Sequence, residues 1–322
     1  MRLDIVIVNW NSGPLLAHCI ASLPQASVGG VRIGSVVVVD NASQDDSASV
    51  SAPAGLQVEI IRNARNVGFA AACNQGAQAG REPHVLFLNP DTELSPSSLA
   101  MPLQRLLGDA SRRIGIVGIA LVAPCGERQR NVARFPTPVH LLGQAFGLDR
   151  VAPALVRPRF MTDWDHLDTR EVDQVPGAFM LMRREDFERL GGFDEQYFLY
   201  MEDVDLALRA RNAGLASVYM HDCVAKHVDG GTTGAVQGVR LFYLLRSRIL
   251  YARKHFAPAG IAAVIFAAML LEPLARLTVA AARANGNAAM AVLRATGWLW
   301  RAYPFRRAID RGQPRALEQD RR

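Results

Sequence analysis

SVVVVDN, residues 35 to 41, is four consecutive valines closed by an acid and an amide. A β-branched run favours extended backbone, and a run without polar alternation is buried on both faces, as the strands of a parallel sheet are. The polar close marks the strand tip. Working outward, the same texture recurs in LDIVIVNW (3–10), VEIIRN (58–63) and HVLFLNPD (84–91). Between these runs lie PLLAHCIASL (14–23) and GFAAACNQGAQAG (68–80), which read as helices. Strand-to-polar-tip units with helical crossovers predict an α/β fold, an open, mostly parallel, doubly wound sheet. Ligands of such sheets bind beyond the carboxyl ends of the strands. Those ends carry Asn9-Trp10-Asn11, Asp40-Asn41, Arg62-Asn63 and Asn89-Pro90-Asp91, so polar groups converge on one edge.

The chain has 322 residues, half of them hydrophobic and one fifth charged, enough for a large α/β domain with an appendage or for two domains. Its formal net charge of +6 suits an anionic partner: nucleic acid, a phosphorylated substrate or an acidic membrane surface. Nucleic acid is the weakest of the three, because no recognised binding motif accompanies the charge. Four scattered cysteines without a CxxC pair fit a reducing compartment and argue against structural zinc. The N-terminus, MRLDIVIVNWNS, lacks the features of a secretory signal. No apolar stretch reaches the roughly 20 residues of a transmembrane helix. The nearest, GIAAVIFAAMLL (260–271), runs into Glu272 and Pro273. A cytoplasmic protein with room for surface attachment to a membrane is the expectation. The segment PCGERQRNVARFPTPVH (124–140), continuing to about 160, reads as a loop-rich insertion that shapes an acceptor site.

Each polar tip admits two readings. Asp40, with Asn41 and Ser43, suits a turn and helix cap, and Trp10 suits a core. Together on adjacent tips they also suit a nucleobase, stacked on the ring and hydrogen-bonded to the acid. In RNARNVGFAAACNQG, Gly68 allows close approach of a ligand to a helix N-terminus. The segment is neither a GxGxxG fingerprint nor a P-loop. DTELSPSSL reads as a helix entry capped by Asp91 or Ser95, or Asp91 is a hard carboxylate ligand for Mg²⁺ or Mn²⁺ holding a diphosphate. In FDEQYFLYMEDVDLALRARNAG, Glu202, Asp203 and Asp205 open a helix that Arg209 and Arg211 close, which capping alone explains. The preceding Phe193, Tyr197, Phe198 and Tyr200 would desolvate a neighbouring carboxylate and suit it to general-base work. His227, before Gly-Gly-Thr-Thr-Gly, is either structural or completes a metal site with Asp91 in a mobile loop.

Taken in order, IVIVNWN, VVVVDNASQDDS, RNVGFAAACNQG, LFLNPD, GAFMLMRRE, GGFDEQYFLYMEDVDLALRARNAG and KHVDGG resemble the inverting glycosyltransferases of family 2, of the GT-A fold, and especially their bacterial rhamnosyltransferase-like branch. The resemblance covers about residues 3 to 235. It implies a Rossmann-like sheet with helices on both faces in residues 1–238; beyond it, 239–322 reads from its own residues as a basic, apolar, helical C-terminal extension. It implies that Trp10 and Asp40 hold the donor base, and that Asn9, Asn66, Gly68, Asn74 and Asn89 line the nucleotide-sugar. Asp91 matches the last acid of the family's DxD motif and His227 a further ligand of a divalent metal, Mg²⁺ or Mn²⁺. Asp203 matches the general base and Glu202 supports the acceptor side. Asn89 stands where DxD has its first acid, and an amide coordinates without charge, so a weaker hold on the metal is implied.

The activity implied is transfer of a sugar, L-rhamnose from dTDP-rhamnose, to a hydroxyl of a glycan or lipid-linked acceptor in cell-surface polysaccharide synthesis. Another sugar from a UDP donor (galactofuranose, N-acetylglucosamine or glucose) is the neighbouring alternative, and a non-catalytic nucleotide-sugar-binding protein is the alternative of another class. A nucleotidyltransferase would need a Gly-rich basic loop after the first strand, which VNWNSGPLL lacks. Residues 239 to 256 alternate leucines with arginines, as either a packed helix with a solvated basic face or an interfacial helix on anionic lipid. With GWLWRAYPF (297–305) they suggest peripheral membrane contact through 239–305, on the cytoplasmic face of the inner membrane. A homo-oligomer is compatible with these features.

Overall fold

A computed structural model of the chain describes residues 1–108, 113–148, 152, 154, 156–228 and 237–304. The valine run is strand β2 (Arg32–Asp40), which pairs in parallel with β1 (Arg2–Asn9) and β3 (Val58–Arg62). Strand β4 (His84–Leu88) joins the other edge of β1, again in parallel. Helices α1 (Leu15–Ala26) and α2 (Phe69–Ala79) make crossovers between these strands, as their patterning predicts. The register sets Asn9 opposite Asp40 and Asp40 opposite Arg62, so the polar tips finish level.

Chain order continues through β5 (Thr92–Leu94), α3 (Ala100–Leu107), β6 (Ile114–Val122), β7 (Arg170–Val172), β8 (Phe179–Arg183), α5 (Arg184–Arg189), α6 (Glu202–Asn212) and β9 (Ala216–His227), with α4 (Pro138–Phe146) between β6 and β7. Among the described residues the sheet has nine strands in the order β3-β2-β1-β4-β8-β6-β9-β5, with β7 on β9. Strand β8 runs antiparallel between β4 and β6, while β6 and β9 are parallel. The predicted parallel α/β sheet is present, and its second half is mixed. All five residues of β4 are buried, which is why HVLFL shows no polar alternation.

One local expectation is overturned here. Asp91 caps no helix: Thr92–Leu94 is a short strand paired antiparallel with Ala225–His227, and the next helix starts at Ala100. Pairing with a strand more than a hundred residues away outweighs the local cap signals.

The chain forms two compact units. The first comprises Met1–Arg134, Phe160–Asp194 and Glu202–Thr232 and contains the sheet. The second comprises Phe135–Arg159, Glu195–Met201 and Thr233–Arg322. In the second unit α7 (Gln237–His255) buries Leu241, Leu245 and Ile249 in one cluster with Val292, Ala295 and Leu299 of α9 (Gly286–Ala302). The leucine–arginine helix is therefore a core element. Its Arg246 is buried and donates to the Gln196 carbonyl, and Arg248 pairs with Glu272 at 2.7 Å.

Glu272 and Pro273 do not end the apolar stretch, contrary to the reading of the sequence. Helix α8 runs unbroken from Pro258 to Ala282, 25 residues, which is long and apolar enough to cross a membrane. The π-turn Ala267–Leu271 just before Pro273 accounts for this. Proline cannot donate to the carbonyl four residues back, and that carbonyl, of Met269, accepts from Trp300 Nε1 at 3.1 Å instead. Glu272 is neutralised by Arg248 and by Arg276 one turn on. The Gly-Gly-Thr-Thr-Gly loop after His227 and the charged tail beyond Pro304 lie outside the described residues.

Candidate active site

The level strand tips build a hydrogen-bonded platform. Asn9 is fully buried, and its Nδ2 donates to Asp40 Oδ1 at 2.9 Å and to the hydroxyls of Ser43 and Ser47. Ser43 donates to the same carboxylate oxygen at 2.5 Å. Asn9 thus fixes the orientation of Asp40 from below, while the next residue, Trp10, is half-buried at the tip. Asn41 donates to the Gly68 carbonyl and accepts from Asn63, tying β2, β3 and the entry of α2 together. Gly68 has φ +91°, a conformation that side chains resist, and its N–H is held by Asn66 Oδ1 at 2.9 Å.

Asn74, on α2, grips the backbone of Phe193 from both ends of its amide: Nδ2 donates to the Phe193 carbonyl and Oδ1 accepts from the Phe193 N–H, each at 2.9 Å. This ties α2 to the GGFD turn. Gly192 there has φ +71°, and a Cβ on it would lie 2.7 Å from Asn74 Oδ1. Arg209 closes the same turn against α6 by donating to the carbonyls of Leu190 and Gly192 while pairing with buried Asp205 at 2.7 Å.

The β5–β9 pairing brings Asp91 and His227 together, with His227 Nε2 3.4 Å from Asp91 Oδ1. Both residues are buried, and Oδ1 has no hydrogen-bond partner. Gln129 sets the ring. Its Nε2 donates to the His227 carbonyl at 3.1 Å, so its Oε1 must be the atom 2.9 Å from His227 Nδ1. Nδ1 therefore carries a proton, and in the neutral ring the lone pair is on Nε2, facing an unpartnered carboxylate oxygen. Either a ring proton or a cation satisfies that arrangement. Among the described residues no group of three or more His, Cys, Asp or Glu could hold a metal ion. A carboxylate oxygen and a neutral imidazole nitrogen facing each other are chemically suited to a divalent cation, should one bind there. Asn89 is half-buried just before Asp91, and its backbone N–H donates to the Ala178 carbonyl.

The same Pro176-Gly177-Ala178 segment lies against the acid pair that opens α6. Gly177 is so close to Asp203 that a Cβ there would be 3.6 Å from Oδ2. Asp203 is half-buried, accepts from the N–H of Val204 at 2.8 Å, and receives Gln174 Nε2 on Oδ2 at 2.7 Å. Glu202 is buried, with Oε2 lacking a hydrogen-bond partner. Burial first, then the neighbouring Asp203 charge, push the Glu202 carboxyl well above the ordinary carboxylate range. Two adjacent acids thus differ in access. Tyr200 and Met201, just before them, both have positive φ, at +67° and +72°. Such strain costs about 1–3 kcal/mol per residue and persists only where the surrounding structure enforces it.

The expected aromatic cluster is divided. Phe193 packs with Phe69, Phe87 and Phe187 in the first unit, whereas in the second Phe198 stacks on Tyr243 at 4.3 Å and Tyr200 accepts from Arg240. Gln129 and Gln174 escape a reading of the sequence, because a loop glutamine carries no local sign of what it faces.

The profile described as Glycosyltransferase like family 2 matches residues 2–240. The N-acetylglucosaminyl-diphospho-decaprenol L-rhamnosyltransferase of Mycobacterium tuberculosis is 31% identical over 250 residues, covering 72% of this chain and 78% of that protein. The rhamnosyltransferase WbbL of Escherichia coli is 51% identical over 49 residues, 15% of this chain and 19% of its own. Among solved structures, the mannosyltransferase PcManGT of Pyrobaculum calidifontis, in complex with GDP-Man and Mn²⁺, shares the fold with a TM-score of 0.52 at 20% identity, over 94% of this chain and 81% of that one. The sheet, the ordered motifs and these matches agree: the chain belongs to glycosyltransferase family 2 and is a glycosyltransferase of the GT-A fold.

Proposed function

We propose that this protein is an inverting hexosyltransferase that moves L-rhamnose from dTDP-rhamnose to a hydroxyl of a glycan or lipid-linked acceptor in cell-surface polysaccharide synthesis. The observation that carries the reaction type is the acid pair that opens α6: a half-exposed, hydrogen-bonded Asp203 beside a buried Glu202 whose carboxyl is pushed above the ordinary range. The likeness to a rhamnosyltransferase acting on a diphospho-decaprenol acceptor supports the sugar and the acceptor.

In this reading residues 1–238 bind the donor and catalyse, and 239–322 extend them at the cytoplasmic face of the membrane. Asp40, oriented by Asn9, accepts from the base edge, and Trp10 offers a stacking face. The Asn66–Gly68 turn and the N-terminus of α2 face the diphosphate, with Asn89 beside it. Asp91 and His227 would hold Mg²⁺ or Mn²⁺, which when bound offsets charge on the departing nucleoside diphosphate. Asp203 takes the proton of the acceptor hydroxyl as that oxygen attacks the anomeric carbon from the face opposite the leaving group. One displacement inverts the configuration.

A donor panel of dTDP-rhamnose, UDP-sugars and GDP-mannose, scored by thermal shift with and without Mn²⁺, tests the donor. Stabilisation by dTDP-rhamnose, enhanced by Mn²⁺, is expected. Stabilisation by UDP- or GDP-sugars alone would overturn it.

A further inference from the structure

The second unit carries an exposed apolar face that its own core does not use. The most apolar 18-residue window of α8 is only 28% buried. Phe266, Leu270 and Leu274 form a row along α8 at intervals of four residues, exposed by 53%, 42% and 52%. On α9, Met290, Leu293 and Trp300 are exposed by 51%, 54% and 59%. The hydrogen bond from Trp300 Nε1 to the Met269 carbonyl sets the end of the second row beside the middle of the first. Large exposed aliphatic and aromatic side chains in such rows are costly in water and mark a partner surface.

Charge identifies the partner. From 237 to 304 the chain has eight arginines and one lysine but a single acid, Glu272. That acid is buried, and both its oxygens are taken by Arg248 and Arg276. Among the described residues of this segment, no exposed acid remains to repel an anionic surface. Arg276, Arg294 and Arg301 are exposed on the same two helices, Arg283 is exposed in the turn between them, and Arg301 adjoins Trp300. Apolar rows flanked by arginine, with a tryptophan among them, match the boundary between lipid headgroups and acyl chains.

We propose that the α8–α9 hairpin lies in the plane of an anionic lipid bilayer, inserting Phe266, Leu270, Leu274, Leu293 and Trp300 below headgroups that its arginines contact. Although α8 is long enough to span, it does not: its opposite face, through Val264, Ala267, Ala268, Glu272 and Pro273, is buried within the protein and includes the Arg248–Glu272 pair. The inference refines the peripheral location in the functional reading and uses nothing of the transfer chemistry, so donor binding and vesicle binding succeed or fail separately.

Flotation of the full chain with vesicles of phosphatidylcholine, alone or with phosphatidylglycerol, tests the proposal. Tryptophan quenching by brominated acyl chains reports insertion, and Trp300→Phe assigns the signal. Binding to anionic vesicles, quenching that Trp300→Phe removes, and loss of about tenfold in binding for Leu274→Glu with Leu293→Glu are expected. Arg283→Glu with Arg301→Glu should weaken binding to anionic vesicles and leave the weak binding to neutral ones unchanged. All replaced side chains are exposed; Trp300→Phe also removes the bond to the Met269 carbonyl, so folding of each variant is confirmed by a cooperative melt and an unchanged helical circular dichroism spectrum. Equal binding to neutral and anionic vesicles, no binding, or a concentration-dependent dimer that the leucine variants dissociate would overturn the proposal.

Discussion

Gln174 Nε2 donates to Asp203 Oδ2 at 2.7 Å, linking the strand-entry segment before β8 to the first turn of α6. A base must point at its proton before its basicity matters, and this bond fixes which way the carboxylate turns. Gln174→Leu is expected to lower kcat about tenfold while leaving the donor KM unchanged. Steady-state kinetics at saturating acceptor checks this. An equal loss from donor binding would mean that Gln174 acts elsewhere.

Glu202 supplies a pH prediction. Its folded-state pKa is raised above the ordinary 4.5 by burial and by Asp203. The folded protein therefore holds this proton more tightly than the unfolded chain, so stability is full below about pH 4 and is lost as pH rises toward the folded pKa. Glu202→Gln mimics the neutral form and escapes that loss. Its melting temperature should match wild type near pH 4 and exceed it increasingly toward pH 8, by differential scanning fluorimetry.

Gln129 supplies a metal prediction. By holding the proton on Nδ1 of His227, it leaves Nε2 to face Asp91. Gln129→Leu frees the ring to turn and change tautomer. Partners that orient a ligand histidine are worth about 10–100-fold in metal affinity. Mn²⁺ titration followed by electron paramagnetic resonance, with dTDP present, should show a loss in that range and a larger one for Asp91→Ala.

At Gly192, positive φ and the 2.7 Å approach to Asn74 act together. Gly192→Ala must strain the backbone or displace the Asn74 clamp on Phe193. A loss of about 1–3 kcal/mol in urea unfolding is expected, with no such loss for Gly191→Ala beyond its own φ cost.

The strand runs and their level polar tips are legible in the sequence because each strand's burial is written in its own residues. SVVVVDN and HVLFLNPD differ from their strands by a few residues at the ends. What escapes is what depends on distant partners. TEL is a strand because of β9, not because of its neighbours, so a cap reading of Asp91 was locally sound and wrong. Pro273 resembles a helix stop until Trp300 takes up the carbonyl it strands. The leucine–arginine texture of 239–256 resembles a lipid-facing helix, but its leucines meet α9, and the exposed apolar rows lie on the helices that follow. Gln129 and Gln174 are visible only through the atoms they touch.

The central claim is that Asp203 is the general base of an inverting transfer, and one comparison tests it most directly. Wild type and Asp203→Asn are assayed with saturating dTDP-rhamnose and a diphospholipid acceptor, with product configuration read by nuclear magnetic resonance. An inverted product is expected from wild type, with a drop of about 10²–10⁴-fold in kcat for the variant at unchanged melting temperature and donor affinity. Near-wild-type turnover by Asp203→Asn, or a product that retains the donor's configuration, would contradict it.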